Sequence, residues 1–548
     1  MCVSLFPYTH VLTPAYIRTY IYIYIYIHTN THKATDRESS SVYYRKDKSC
    51  GELAELESKM PQPHILIVTF PARGHINPSL HFSGRLIRTT GARVTFATCV
   101  SAFRRSMIPP AAADSLSFLS FSDGFDDGHV SSTSSDYDHD QWMDRIRVDG
   151  TKTLSDFIES NRRGESPVTC LVYTLLLTWA PAVARRFHIP SSLLWIQPAL
   201  VFDIYYYYFN GYAEVVSKAL ARSDPVELPK LPLLAARDLP SFLTPSNMYK
   251  YACAAFQDQI DRLREDPNPK ILVNTCDALE REALRAIPNL EMVAVGPLLP
   301  MEIFPGNNNR FSGDSIRDSE DHGYTLWLDS KPDSSVIYVS FGTLAVLPKK
   351  QMQELAKALI ETKRPFLWVI TDKPNKRANE EEEGEEIGNI ADFRQELEEI
   401  GMVVTWCSQT QVLKHKSVGC FLTHCGWNST LESLVLGVPV VAFPQWTDQP
   451  TNAKLLEDWW KTGVRVKENE EGLVESGEIR RCLEAAMEDK AEELRRNAGK
   501  WRDLAAEAGG EGGSSDTNIA AFVESCGGMS YGTDDKSASL RGNYICPN

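Results

Sequence analysis

Short apolar runs, each closed by a polar loop and a helical stretch, set the rhythm of the chain. His64 to Phe70 (HILIVTF), Cys170 to Tyr173, Val336 to Phe341, Val418 to Thr423 and Val438 to Phe443 lack the polar alternation of a half-wet sheet. Continuous apolar runs of this length are expected of parallel strands covered on both faces. After the first run, Pro71 to His75 reads as a loop, with Asn77 as a cap and Pro78 starting a helix. Leu80, Gly84 and Ile87 then share one helical face. After Val418 to Thr423 comes the loop His424-Cys425-Gly426-Trp427-Asn428-Ser429. Ser429 or Asn428 is a good N-cap, Glu432 lies near capping-box spacing, and Thr430 to Leu436 reads as a helix. Gly437 stops that helix and Pro439 prevents its continuation. The fold class this predicts is α/β, with doubly wound parallel sheets.

A chain of 548 residues suggests two large domains. The expected division is an acceptor domain over 60–300, a linker over 301–321 containing Pro305-Gly306, and a nucleotide domain over 322–508. Paired glycines follow, then a terminal helix within 509–526, from Asp516 to Glu524, and a polar tail over 527–548.

The chemistry concentrates between Trp406 and Gln449. A loop leading from a buried strand into a helix start gathers backbone N–H groups and the positive end of the helix dipole, which suits phosphate. In an open parallel sheet that place lies at the carboxyl ends of the strands, where ligands bind. Trp406 offers a flat face for a base. Glu432 can accept hydroxyls of a ribose, and Asp448 and Gln449 those of a sugar. A hydrogen bond involving a charged group contributes about 1.5–3 kcal/mol, so a few such contacts can select a ligand. The bland alternative makes Trp406 and Trp427 core aromatics and Glu432 only a cap.

The whole stretch resembles the secondary-product box of plant family 1 UDP-sugar-dependent glycosyltransferases, including HCGWNS, the Glu, GVP and the terminal DQ. Similarity extends from about His64 to about Cys526. RTTGARVTFAT, RDLPSFL and PKILVNT suggest the branch of anthocyanin 5-O-glucosyltransferases. The resemblance implies the GT-B fold (two Rossmann-like domains facing a cleft), inversion at the sugar carbon, no metal or other cofactor, and a monomer. It implies that Trp406 stacks on uracil and that the backbones of Cys407 and Gln409 bond its edge. By the same resemblance His424, Gly426, Asn428 and Ser429 hold the diphosphate, assisted by Gly342 and Thr343. Glu432 would take the ribose, and Trp427, Asp448 and Gln449 the transferred sugar. A terminal Gln is similar to glucose users, so UDP-glucose is the expected donor.

His75 sits between a strand end and a helix start, in the setting GHINP. An imidazole near its ordinary pKa of about 6.5 can take a proton from a phenol or alcohol. The resemblance makes it the general base. It also implies an orienting Asp after Cys170 to Tyr173, where this chain has Thr174. A neutral partner stabilises an imidazolium less than a carboxylate does.

Other properties limit the function. A formal charge of -15 and a pI near 5.4 argue against nucleic acid and anionic membranes. Twelve Cys without CxxC pairs read as reduced thiols, hence a cytosolic protein. Aromatics from Trp195 to Tyr208, with Phe125, suit a flat hydroxylated or acidic acceptor such as a flavonoid, although such aromatics are more often core than pocket. The acidic run Glu380 to Glu386 reads as a solvated loop. Residues 1–59 stand outside this scheme. Tyr20 to Ile27 alternates Tyr and Ile as a translated TA repeat does, so Met60 is the expected start. The expected activity is inverting glucosyl transfer to a small plant metabolite. The alternative is a silent UDP-sugar binder, motivated by Thr174. A nicotinamide oxidoreductase is disfavoured because no GxGxxG follows a strand.

Overall fold

A computed structural model describes residues 62–105, 115–127, 139–164, 166–244, 250–304, 323–343, 345–370 and 390–527. The extension at 1–59, most of the expected linker, the acidic run and the polar tail after Gly527 lie outside the described residues.

Two all-parallel sheets form the frame. The first is ordered β3-β2-β1-β4-β5-β6-β7. Its strands are β1 (His64–Val68), β2 (Arg93–Cys99), β3 (Leu116–Phe121), β4 (Cys170–Thr174), β5 (Ser191–Trp195), β6 (Lys270–Val273) and β7 (Glu291–Ala294). The second is ordered β10-β9-β8-β11-β12-β13. It comprises β8 (Val336–Ser340), β9 (Phe366–Val369), β10 (Met402–Val404), β11 (Val418–Thr423), β12 (Val440–Ala442) and β13 (Gly463–Arg465). The central strands β1, β4, β8 and β11 are buried along their whole length. That burial explains their unbroken apolar sequences.

Strand order reverses between β1 and β4 and again between β8 and β11. Those are the crevices where open sheets bind ligands. The register pairs Val68 with Tyr173 in the first sheet and Thr423 with Ser340 in the second, so the loops leaving each pair are neighbours.

Both predicted helix starts differ from the structure. Helix α1 runs Arg73–Thr90 with Ala72 as N-cap, so His75 lies in its first turn and Pro78 inside it. Helix α4, Trp427–Leu436, starts two residues before the nearest predicted cap's successor, with Gly426 as N-cap and no side-chain cap. Gly437 ends it in the left-handed region at φ 71. Glu432 therefore lies in the second turn and is not part of a capping box.

Helix α6 (Ala491–Gly509) packs on α4, and the final helix α7 (Ser514–Gly527) packs on α1 and β7. Asp516 of α7 pairs with Arg85 at 3.4 Å and Arg88 at 2.7 Å, both on α1. Ser515 Oγ donates to the Gly296 carbonyl and Arg85 Nη2 to that of Gly509. Side chains of α4 and α7 share one apolar cluster with those of the first sheet.

Candidate active site

The second half of the site is built around His424. Its Nδ1 is 3.2 Å from Thr423 Oγ1. Burial lowers its pKa to about 4, so the ring is neutral near pH 7. A Cβ at Gly426 would lie 2.6 Å from His424 Nε2, and one at Gly342 would lie 2.8 Å away. Gly342 also has φ +74, which L side chains rarely adopt. A side chain at either glycine would press on the imidazole. Thr343 is exposed at the tip of the same loop.

Trp427, Asn428 and Ser429 occupy the first three positions of α4, where a helix has no internal acceptors for its N–H groups. Gln409 opens α3 (Gln409–Lys414) and braces the site with its side chain. Its Nε2 donates to Ser429 Oγ at 2.9 Å and to Glu432 Oε2, while Tyr338 Oη donates to its Oε1 at 3.2 Å. Cys407 Sγ lies 3.4 Å from the same Tyr338 hydroxyl. The half-buried Trp406 precedes this brace. The backbone reading of Gln409 thus missed its side chain, which ties Tyr338, Ser429 and Glu432 together.

Asp448 and Gln449 enter at the start of α5 (Gln449–Lys454), and both are buried. Thr447 Oγ1 and Asn452 Nδ2 each donate to the Asp448 carboxylate at 2.7 Å. Burial nonetheless raises its pKa. Gln449 Oε1 accepts the N–H groups of Gln445 at 2.8 Å and Trp446 at 3.0 Å. Asn452 also donates to the Cys425 carbonyl at 2.8 Å. Sequence reasoning passed over Asn452, although its i+4 spacing from Asp448 on a helix was a signal.

The first half of the site is the start of α1. His75 Nδ1 lies 3.4 Å from Thr174 Oγ1, at the end of β4. Thr174 is fully buried and also accepts the Phe70 N–H at 3.2 Å. Phe70 packs tilted against the His75 ring at 5.2 Å. The imidazole does not keep its ordinary pKa. Burial without a nearby carboxylate lowers it to about 3.

The two halves meet. Asn428 Nδ2 donates to the Gly74 carbonyl at 3.4 Å, one residue before His75. That carbonyl is available because Pro78, four residues on, has no N–H to offer it. Trp427 is 4% exposed and donates from Nε1 to the Asn274 carbonyl at 2.8 Å. Its indole is thus an interdomain core group, as the core-aromatic alternative for this residue expects. Its backbone N–H lies in the first turn of α4. Trp195, Phe202 and Tyr205 are likewise core, whereas Tyr206, Tyr207, Tyr208 and Phe125 are half-buried. Among the described residues, no group of three or more His, Cys, Asp or Glu is gathered to hold a metal.

A family model for UDP-glucuronosyl and UDP-glucosyl transferases matches residues 294–498. UDP-glycosyltransferase 75B1 of Arabidopsis thaliana is 63% identical, over 85% of this chain and 97% of its own length. The chain belongs to the plant family 1 UDP-glycosyltransferases. Anthocyanidin 3-O-glucoside 5-O-glucosyltransferase of Verbena hybrida is 47% identical over 86% of this glycosyltransferase and 100% of its own length, in line with the suggested branch. The Os79 protein of O. sativa, solved with UDP, matches with a TM-score of 0.68 and 31% identity over 84% of this chain and 100% of that one. The glycosyltransferase thus has the GT-B fold expected from its sequence, and no described helix is long and apolar enough to cross a membrane.

Proposed function

We propose that this enzyme transfers glucose with inversion from UDP-glucose to a hydroxyl of a small aromatic plant metabolite, of flavonoid or anthocyanin type, with His75 as general base. The observation that carries this reading is the Asn428–Gly74 contact, which sets the anion-binding start of α4 against the turn that bears the imidazole. Trp406 stacks on the uracil, and the backbones of Cys407 and Gln409 bond its edge. Glu432 takes the ribose. The N–H groups at the start of α4, with His424, Gly342 and Thr343, hold the diphosphate. Asp448, Gln449 and the Trp427 backbone hold the glucose.

With Nδ1–H directed at Thr174 Oγ1, Nε2 of His75 carries the lone pair. The acceptor oxygen attacks the anomeric carbon as its proton passes to Nε2. The bond from that carbon to the diphosphate oxygen breaks, and UDP leaves with both electrons. The helix dipole and the oriented N–H groups meet the charge on the leaving group, so we assign no metal to this route. The buried and half-buried free thiols support a cytosolic setting.

His75→Ala should lower kcat for hydroxyl acceptors about 10²–10⁴-fold, with the Kd of UDP within a factor of about two. Equal loss of both would contradict the assignment. Trp406→Ala should raise the donor KM first. The neutral partner of His75 favours one second reading, a UDP-sugar-binding protein without turnover. Tight UDP binding with no product from any acceptor in a mass-spectrometric panel would establish it.

A further inference from the structure

The RDLPSFL stretch, Arg237 to Leu243, belongs to the first domain's sequence yet is fastened to the sugar-facing loop of the second. Ser241 N–H donates to the Thr447 carbonyl at 2.8 Å, and Thr447 N–H donates back to Ser241 Oγ at 2.7 Å. Thr447 is held at φ 59, a conformation that a β-branched residue keeps only when its surroundings impose it. Next to it, the Phe242 and Trp446 rings meet edge to face at 6.3 Å. The other end of the stretch is anchored by the buried Asp238. Its carboxylate accepts Arg465 Nη1 at 2.8 Å and the Ala235 N–H at 2.9 Å, and lies 3.3 Å from Lys454 Nζ. Its carbonyl accepts Thr451 Oγ1 at 2.6 Å. The two anchors bracket Asp448 and Gln449, which follow Thr447 directly.

We propose that this strap, through Ser241 and Asp238, positions Asp448 and Gln449 and so sets affinity and selectivity for the sugar part of the donor. The inference rests on the reading of those two residues as sugar contacts. The strap's contacts named here involve neither Trp406, Glu432 nor the α4 residues assigned to the nucleotide. Its effect therefore falls on UDP-glucose and not on UDP.

The test compares the full chain with Ser241→Ala, Ser241→Thr and Asp448→Asn. It measures the KM of UDP-glucose and UDP-galactose, the Kd of UDP by calorimetry, and the Tm. Losing the Ser241 acceptor should raise the UDP-glucose KM roughly fivefold and narrow the preference over UDP-galactose. The UDP Kd should stay within a factor of about two, and Ser241→Thr should restore the KM. Equal weakening of UDP and UDP-glucose, or no change in either, overturns the proposal. If Asp448→Asn shifts the UDP-glucose to UDP ratio and Ser241→Ala does not, only the strap's role fails. If Asp448→Asn leaves the ratio unchanged, the sugar assignment fails and the strap's role with it. Should Ser241→Ala fold poorly, Asp238→Asn is judged by the same split.

Discussion

At the scale of single residues, His75 and Thr174 decide how the proposed base works. Burial lowers the His75 pKa to about 3, so folding disfavours the imidazolium. The native ring stays neutral while a solvated one would protonate near 6.5. The acid limb of kcat/KM should therefore fall well below pH 5, with no inflection at 6.5. A steady-state pH profile checks this. Thr174→Asp would set a carboxylate beside Nδ1, raise the imidazole pKa and move that limb upward. An unmoved limb would show that the two side chains do not communicate. A carboxylic acid acceptor is already ionised near pH 7 and needs no base. His75→Ala should thus retain far more activity toward carboxyl than toward hydroxyl acceptors, as paired assays of one acceptor set can show. Thr174 itself was legible in the sequence as a departure from the family pattern. The depressed pKa was not, because it depends on what surrounds the ring.

At the scale of elements, the strands were legible and the helix starts were not. Val418–Thr423 needs only an apolar run between polar loops to be read. The start of α4 depends on Gly426 having no Cβ beside His424, a contact made by folding. The start of α1 depends on the loss of the Gly74–Pro78 bond being offset by Asn428 from another domain. Gly342→Ala should lower UDP affinity roughly tenfold, from left-handed strain of about 1–2 kcal/mol and pressure on His424. Calorimetry with UDP measures it, and unchanged affinity would remove Gly342 from the diphosphate site.

At the scale of the whole molecule, buried charge sets the response to pH. Asp203 on α2 (Ala199–Tyr207) is fully buried, and neither carboxylate oxygen has a hydrogen-bond partner among the described residues. Burial, then the nearby Glu280, holds its pKa far above the usual range. Glu280 caps α2 by accepting the N–H groups of Ala199 and Leu200 at 3.1 Å, and burial raises its pKa to about 7. Both groups bind protons more tightly when folded, so their contribution is present at low pH and lost as pH rises. The buried imidazole of His81 and the half-buried ones of His75 and His424 act oppositely, but only below about 6.5. Stability should therefore decline as pH rises above 6.5, by at most about 1.4 kcal/mol per pH unit for each carboxyl still titrating, the Glu280 share ending just above pH 7 and that of Asp203 continuing beyond it. Asp203→Asn should flatten that decline in chemical denaturation. The C-terminal latch is a second global feature. Asp516→Ala leaves Arg85 charged and buried, a change that costs about 3–5 kcal/mol and should lower Tm by several degrees.

Sequence alone determined the α/β class, the strand–loop–helix frame of the nucleotide site and the family. Each of these is written in contiguous residues: apolar runs, glycines at loop ends, and the block from Trp406 to Gln449. Tertiary structure decided what the side chains in that block do. Trp427 turned into the domain interface because its N–H found the Asn274 carbonyl, and Gln409 became a brace because Tyr338, Ser429 and Glu432 converge on it. His75 lost its ordinary pKa to burial, and the RDLPSFL stretch acquired a partner more than two hundred residues away. Partners so distant in sequence leave no local periodicity, and desolvation belongs to the packed interior, so neither can be read from a linear pattern.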